Sequence, residues 1–243
     1  RPPRSTLFPY TTLFRSHKGT AMNRRVLPIV LLAALCVPGC QTADNFTTGG
    51  QDIPSPIGKT QKWSFDGNSV GELPADFISV LGVWSVAAEG SAPSSPNVLR
   101  QTGSYGNPDF PRVLVKDLTF ANLKMKVRCR PESGSIDQAC GLIFRAMDSD
   151  NYYITRANAL ERSVNLYRVV ARSRQIIAEA SAQVTQGQWH TLEATVVGAQ
   201  ITITWDGTPV ISVMDQTYTN GKIGLWTKAD SVTSFDDLEA TAQ

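Results

Sequence analysis

The chain has 243 residues, with 23 Lys and Arg against 21 Asp and Glu, a formal charge of +2. Six of those cations and none of the acids precede Gln41, so the remainder carries 17 − 21 = −4. A mildly acidic chain without a Lys/Arg stripe lacks the electrostatic footprint of a nucleic-acid binder, and the roughly 180 residues beyond the N-terminal segment suffice for one well-buried core.

Residues 1–21 show no periodicity and precede Met22. They read as a non-native extension and are set aside from the fold. Arg24 and Arg25 then lead into a short apolar run, Val26 to Val37, followed by Pro38-Gly39-Cys40. The run is too short to span a bilayer as a helix. Segment 22–40 resembles a bacterial lipoprotein signal. That resemblance implies cleavage before Cys40, lipid on Cys40, membrane contact through that lipid only, and a cell-envelope location. By the usual sorting pattern Gln41 favours the outer membrane. The alternative is an ordinary secretory peptide cut nearby. Residues 41–60, rich in Thr, Gly, Pro and Ser, read as a flexible tether.

Residues 61–243 are expected to form the folded domain. Leu123-Lys124-Met125-Lys126-Val127-Arg128, Thr191 to Val196 and Gln200 to Trp205 alternate apolar with polar, the period of strands with one face in a core. Turn signals separate such runs at Asp148-Ser149-Asp150-Asn151, Asp206-Gly207 and Asn220-Gly221. About a dozen strands and no long amphipathic helix imply an all-β, antiparallel, two-sheet jelly-roll sandwich. Cys129 and Cys140 flank the turn-rich Pro131-Glu132-Ser133-Gly134-Ser135 and suit a disulfide across a hairpin; two free buried thiols are the other reading.

Gly141-Leu142-Ile143-Phe144-Arg145, Asp150 to Ile154 and Val164-Asn165-Leu166-Tyr167-Arg168 follow one another in an order that resembles a concanavalin A-like, laminin-G-like jelly roll. Gly187-Gln188-Trp189-His190, Trp205-Asp206-Gly207, Gly221 to Trp226 and Phe235 to Leu238 continue the match. The nearest branch by resemblance is that of the bacterial 3-keto-disaccharide hydrolases. It implies the fold over about residues 60–242 and a glycan held on the concave sheet.

A tight turn at Asp148–Asn151 would set Met147 opposite Tyr152 and Arg145 opposite Ile154. A second turn around Ala159–Arg162 would set Ile154 beside Tyr167 and Arg156 beside Asn165. One face then collects Leu142, Phe144, Ala146, Tyr153, Ala157 and Leu166 as core. The other collects Arg145, Tyr152, Arg156, Asn165 and Tyr167, a set suited to carbohydrate: rings stack on pyranose faces while guanidinium and amide groups bond hydroxyls or carboxylates. A merely solvated outer face is the competing reading.

Trp226 and Lys228 could rim that sheet, with Trp226 also suited to the core. For catalysis the candidates are Arg156, Glu161 and His190, each weighed against a structural role. Asp236 and Asp237 either bond loop backbone or supply calcium ligands; no other metal or cofactor is expected, and Cys129 and Cys140 alone make no zinc site. The face strands contain no Asp or Glu, and a Glu-x-Asp-x-Glu string is absent, which argues against the two-carboxylate glucanase mechanism. Three functions stay open: glycan binding, hydrolysis of a keto-modified disaccharide, and docking to a protein or the envelope.

Overall fold

The computed structural model describes residues 51–243, so the extension, the signal segment and Cys40 lie outside the described residues. The strands, in chain order, are β1 (Ile53–Pro54), β2 (Thr60–Trp63), β3 (Phe77–Leu81), β4 (Trp84–Ala88), β5 (Asn97–Gln101), β6 (Arg112–Val115), β7 (Leu118–Thr119), β8 (Leu123–Ser133), β9 (Ala139–Ala146), β10 (Tyr152–Asn158), β11 (Ser163–Val170), β12 (Ser173–Ser181), β13 (His190–Val197), β14 (Gln200–Trp205), β15 (Thr208–Met214), β16 (Lys222–Trp226) and β17 (Val232–Ala242). No helix occurs among the described residues, and none is long and apolar enough to cross a membrane.

Two antiparallel sheets pack as a jelly-roll sandwich. One runs β12-β11-β10-β9-β16-β6-β3; the other runs β15-β14-β13-β8-β17-β5-β4, with β2 also on β17. Strand β8 shows why. Leu123, Met125 and Val127 are buried while Lys124 is exposed, so its period-two pattern puts one face in the core between the sheets. Strands β9 and β10 are buried at every position. Full burial requires cover on both faces. Leu142, Phe144, Tyr153 and Leu166 face the core between the sheets. Ile143, Tyr152, Ile154, Tyr167, Val169 and Trp226 form a second cluster on the opposite face, with Phe110 packed against it.

Outside the site, the structure departs from the sequence expectations in three places. The second half of the expected tether is seated on the domain: Ile53 and Pro54 pair with Leu118 and Thr119, Asp52 meets Lys222, and Gly58 N–H donates to the Ala242 carbonyl. Pro131, Glu132 and Ser133 continue β8 instead of turning. Pro131 sits opposite Thr233 beside a bulge in the β8–β17 ladder, beyond the start of β13, where a missing N–H is tolerated. The turn begins only at Gly134, whose φ is +150° and where a Cβ would lie 1.9 Å from the Asp137 carbonyl oxygen.

The third departure follows from the second. Cys129 and Cys140 are bonded, with Cα atoms 6.2 Å apart. They belong to different sheets, however: Cys129 to the β8 sheet and Cys140 to the β9 sheet. The disulfide is a staple through the core between the sheets, not a rung across a hairpin.

Candidate functional site

The β9–β10 pairing is offset by two residues from the sequence expectation: Ile154 faces Ile143 and Arg156 faces Gly141. An even offset preserves which side chains share a face. The β10–β11 pairing matches the expected one, with Ile154 opposite Tyr167 and Arg156 opposite Asn165. One row of residues therefore crosses five strands in the order Asn165, Arg156, Gly141, Trp226, Arg112. Gly141 lets the row close up. A Cβ there would lie 3.0 Å from the Thr155 carbonyl oxygen and 3.3 Å from the Trp226 ring.

Arg145 does not join this face. Its φ is +48°, and the β9–β16 register slips between Lys222 and Gly224. This bulge rotates the end of β9, so Ala146 joins the second cluster in place of the interior. The guanidinium of Arg145 is 1% exposed and donates to the carbonyls of Ala121, Tyr218 and Gly198 at 2.8, 3.0 and 2.9 Å. Burial lowers its pKa. It is a clamp for three loops and has no fork left for a ligand.

The other four expected residues do come together. Arg156 NH2 donates to Glu161 Oε2 at 2.5 Å and to the Tyr167 hydroxyl at 3.1 Å. Asn165 Nδ2 donates to the same hydroxyl at 2.8 Å and to Glu179 at 3.2 Å. Tyr152 lies at the far end of the face, with the Arg112 guanidinium 5.7 Å from its ring centroid. Burial pushes the Tyr152 hydroxyl pKa up. Arg156 is 2% exposed, yet its Nε and NH1 have no hydrogen-bond partner, and neither does Asn165 Oδ1. Unfulfilled buried donors and an acceptor at one place are what a polar ligand would satisfy.

Arg174 and Asp137, which the sequence did not single out, complete the site together with Trp226 and Glu161, which it did. Arg174, opposite Val169, lies against the rings of Tyr167 and Phe110. Trp226 belongs to this outer cluster and not to the core between the sheets, and its ring lies tilted against Phe110 with centroids 5.3 Å apart. Strands β9, β10 and β11 bring no carboxylate to the face, but Glu179 on β12 stands opposite Asn165, and two further carboxylates reach the face from loops. Glu161 arrives from the β10–β11 turn. Asp137 arrives from the turn before β9, where it pairs with Lys228 at 2.8 Å and accepts from Asn158 Nδ2 at 2.8 Å. Burial raises the Asp137 pKa against the pull of Lys228. At Glu161 burial also pushes upward, but the bond to Arg156 prevails and the pKa is lowered. An open groove of about 990 Å³, bordered by Ala159, Glu161, Arg162, Val184 and Gln186, adjoins the site at Glu161.

Asp230 holds the turn that delivers Asp137. Its carboxylate accepts from the backbone N–H groups of Ser135, Ile136 and Asp137 at 2.7 to 3.1 Å. Burial opposes the charge, but these donors and the Ser135 hydroxyl outweigh it and bring the pKa to about 2. A depressed carboxylate pKa contributes stability that is complete above the unfolded value near 4 and is lost as pH falls toward 2. Asp230→Asn is expected to cost about 1–2 kcal/mol at neutral pH, after allowance for solvent screening. Melting temperatures taken from pH 6 down to pH 2 should show the variant and the parent converging at the acid end.

His190 lies on β13 in the other sheet. Its Nδ1 bonds Asp206 at 2.7 Å, its Nε2 accepts from the Thr185 N–H at 3.1 Å, and its ring stacks on Trp205. Both nitrogens are occupied, so its role is to hold the Thr185 loop and the Asp206-Gly207 turn. Asp236 likewise bonds loop backbone, accepting from Ser94 N–H at 2.8 Å and Asp237 N–H at 2.7 Å. Among the described residues no three His, Cys, Asp or Glu side chains come together as metal ligands.

Residues 83–241 match the model of the 3-keto-α-glucoside-1,2-lyase-like domain. The chain belongs to this family. No curated protein matches. Among solved structures, the carbohydrate-binding module CBM66 of Bacillus subtilis is similar at 18% identity and TM-score 0.58, over 68% of this chain and 94% of that one. A Bacillus licheniformis β-glucanase is similar at 11% identity and TM-score 0.53, over 77% and 100%. A Bacillus subtilis protein described as having a galectin-like fold gives 15% identity and TM-score 0.53, over 68% and 89%. At these identities the likeness establishes the fold. It is a jelly roll shared by carbohydrate-binding and glycoside-hydrolase-like domains.

Proposed function

We propose that this family member is an exported, lipid-anchored protein that binds a glycan on the outer face of its seven-stranded sheet. Arg156 carries the reading: a buried guanidinium with two unused donor atoms, set beside the Tyr167 ring in a row that ends on Trp226 and Arg112. Rings supply stacking surface for a sugar, and the guanidinium, amide and hydroxyl groups supply oriented bonds to its oxygens. The similarity in fold to a carbohydrate-binding module is consistent with a glycan ligand. A glycan array followed by calorimetry tests it. Arg156→Gln is expected to weaken the best-bound sugar by at least about tenfold, or about 1.4 kcal/mol. Unchanged affinity would remove this face from consideration.

Anchoring at Cys40 rests on the signal pattern, and the disulfide supports export, because such bonds persist in oxidising compartments. Labelled palmitate should enter the parent chain and be lost in Cys40→Ser; label in both forms would place the lipid elsewhere. The outer membrane is the location we favour, from Gln41.

One observation favours a second reading, turnover of a 3-keto-glucoside. The environments of Asp137 and Glu161 push their carboxyl groups in opposite directions, one raised and one lowered, as acid–base pairs require. Release of product from 3-keto-glucosides, lost in Asp137→Asn and Glu161→Gln, would establish this activity. An inert response to such substrates, with glycan binding intact, would leave a binding protein.

A further inference from the structure

Arg174 stands out for its charge balance. It comes from β12, the edge strand, and its pairing with Val169 puts it on the site face. Its guanidinium carbon lies 4.4 Å from the Tyr167 centroid, 4.9 Å from Phe110 and 5.9 Å from Trp226. Arg156 approaches the same Tyr167 ring at 5.7 Å. The two cations are therefore neighbours, and Arg156 adds to the burial that lowers the Arg174 pKa.

The carboxylates nearby are committed elsewhere. Glu161 receives Arg156 NH2, Asp137 pairs with Lys228, and Glu179 receives Asn165 Nδ2. Among the described residues Arg174 makes no ion pair with any of them, and its NH1 is buried without a hydrogen-bond partner. A partly buried guanidinium without an anion is costly, and neutral hydroxyls offset that cost only in part. A planar carboxylate fits the guanidinium fork in charge and in geometry.

We propose that the two guanidinium groups of Arg156 and Arg174 form a subsite for the carboxylate of a uronic acid, with the sugar ring held against Tyr167, Phe110 and Trp226. This rests on the glycan-binding reading above and narrows its ligand to an acidic sugar. One buried arginine with two free donor atoms, a second arginine with no acid, and a wall of rings are the features such a residue would use.

The test is titration of the whole purified chain with disaccharides of glucuronic and galacturonic acid, their methyl esters, the neutral parent disaccharides and sodium acetate. The acids are expected to bind at least about tenfold more tightly than their esters, with the preference shrinking between about 50 and 300 mM salt. Arg174→Gln, on an edge strand and partly exposed, should erase the preference, and Arg174→Lys should restore only part of it. Equal affinity for acid and ester would overturn the carboxylate subsite while leaving the glycan face standing. Binding of no sugar on a broad array would overturn both. Acetate binding as tight as a uronate, or an acid preference that survives both Arg174→Gln and Arg156→Gln, would also refute the proposal.

Discussion

Arg145→Ala is expected to destabilise the domain by about 4 kcal/mol and to lower its melting temperature by about 10 °C, measured by chemical and thermal denaturation. The guanidinium is almost wholly buried and bonds three backbone carbonyls from three separate loops. Truncation leaves those acceptors without donors and opens a cavity where β9 bulges. Arg145→Lys should recover little, because one ammonium cannot reach Ala121, Tyr218 and Gly198 together. The contrast with Arg156 separates the two arginines. Arg156→Gln should act mainly on ligand affinity, and Arg145→Ala mainly on stability. Loss of glycan binding by Arg145→Ala with an unchanged melting temperature would mean that Arg145 serves the ligand after all.

The two arginines also show where sequence reasoning succeeds and where it fails. Alternation and the Asp148–Asn151 turn place Arg156, Asn165, Tyr152 and Tyr167 on one face, and an even register offset leaves that conclusion intact. Arg145 obeys the same alternation on paper. A bulge breaks the period at that residue, and nothing in Phe144-Arg145-Ala146 announces a positive φ. Arg174 was hidden by a turn of another kind. Ala171 and Arg172 both adopt positive φ, at 47° and 69°, in a two-residue connection that usually calls for Asn or Gly. Without that signal the β11–β12 pairing, and hence the position of Arg174, could not be read. Asp137 was missed because β8 runs on through Pro131 and shifts the turn that carries it. Glu161 was legible as a catalytic candidate in the turn after β10, but its bond to Arg156 was not.

The site is thus assembled from parts with different physical origins. The sheet supplies a rigid row from Asn165 to Arg112, fixed by backbone pairing. Strand β12 supplies Glu179, loops supply Asp137 and Glu161, and each loop has its own fastener: Asp230 for the turn of Asp137, and the Asn158 side chain for the turn of Glu161, where Oδ1 accepts from the N–H groups of Leu160 and Glu161 at 2.9 and 3.1 Å. Charge supplied by loops can be varied without disturbing the row. A jelly roll can therefore host binding and catalysis on one face.

The second large effect concerns the staple between the sheets. Cys129→Ala combined with Cys140→Ala is expected to lower stability by about 3 kcal/mol, the loop-closure value for a short closed loop, and to reduce the melting temperature by about 6–10 °C. The bonded residues are separated by 11 positions and both side chains are fully buried, so reductant should act on the folded chain only after opening. Parent protein unfolded and refolded under reducing conditions should reproduce the melting temperature of the double variant. Cys140 adjoins Gly141, and Ala157, its partner across the ladder, adjoins Arg156. The bond thus ties the strand behind the site row to β8 in the opposite sheet. Below the melting transition the ladders alone hold that row, so glycan affinity should persist in the variant at low temperature and fall only as the sheets separate. A double variant as stable as the parent would mean that packing at Cys129 and Cys140, and not the covalent link, joins the two sheets there.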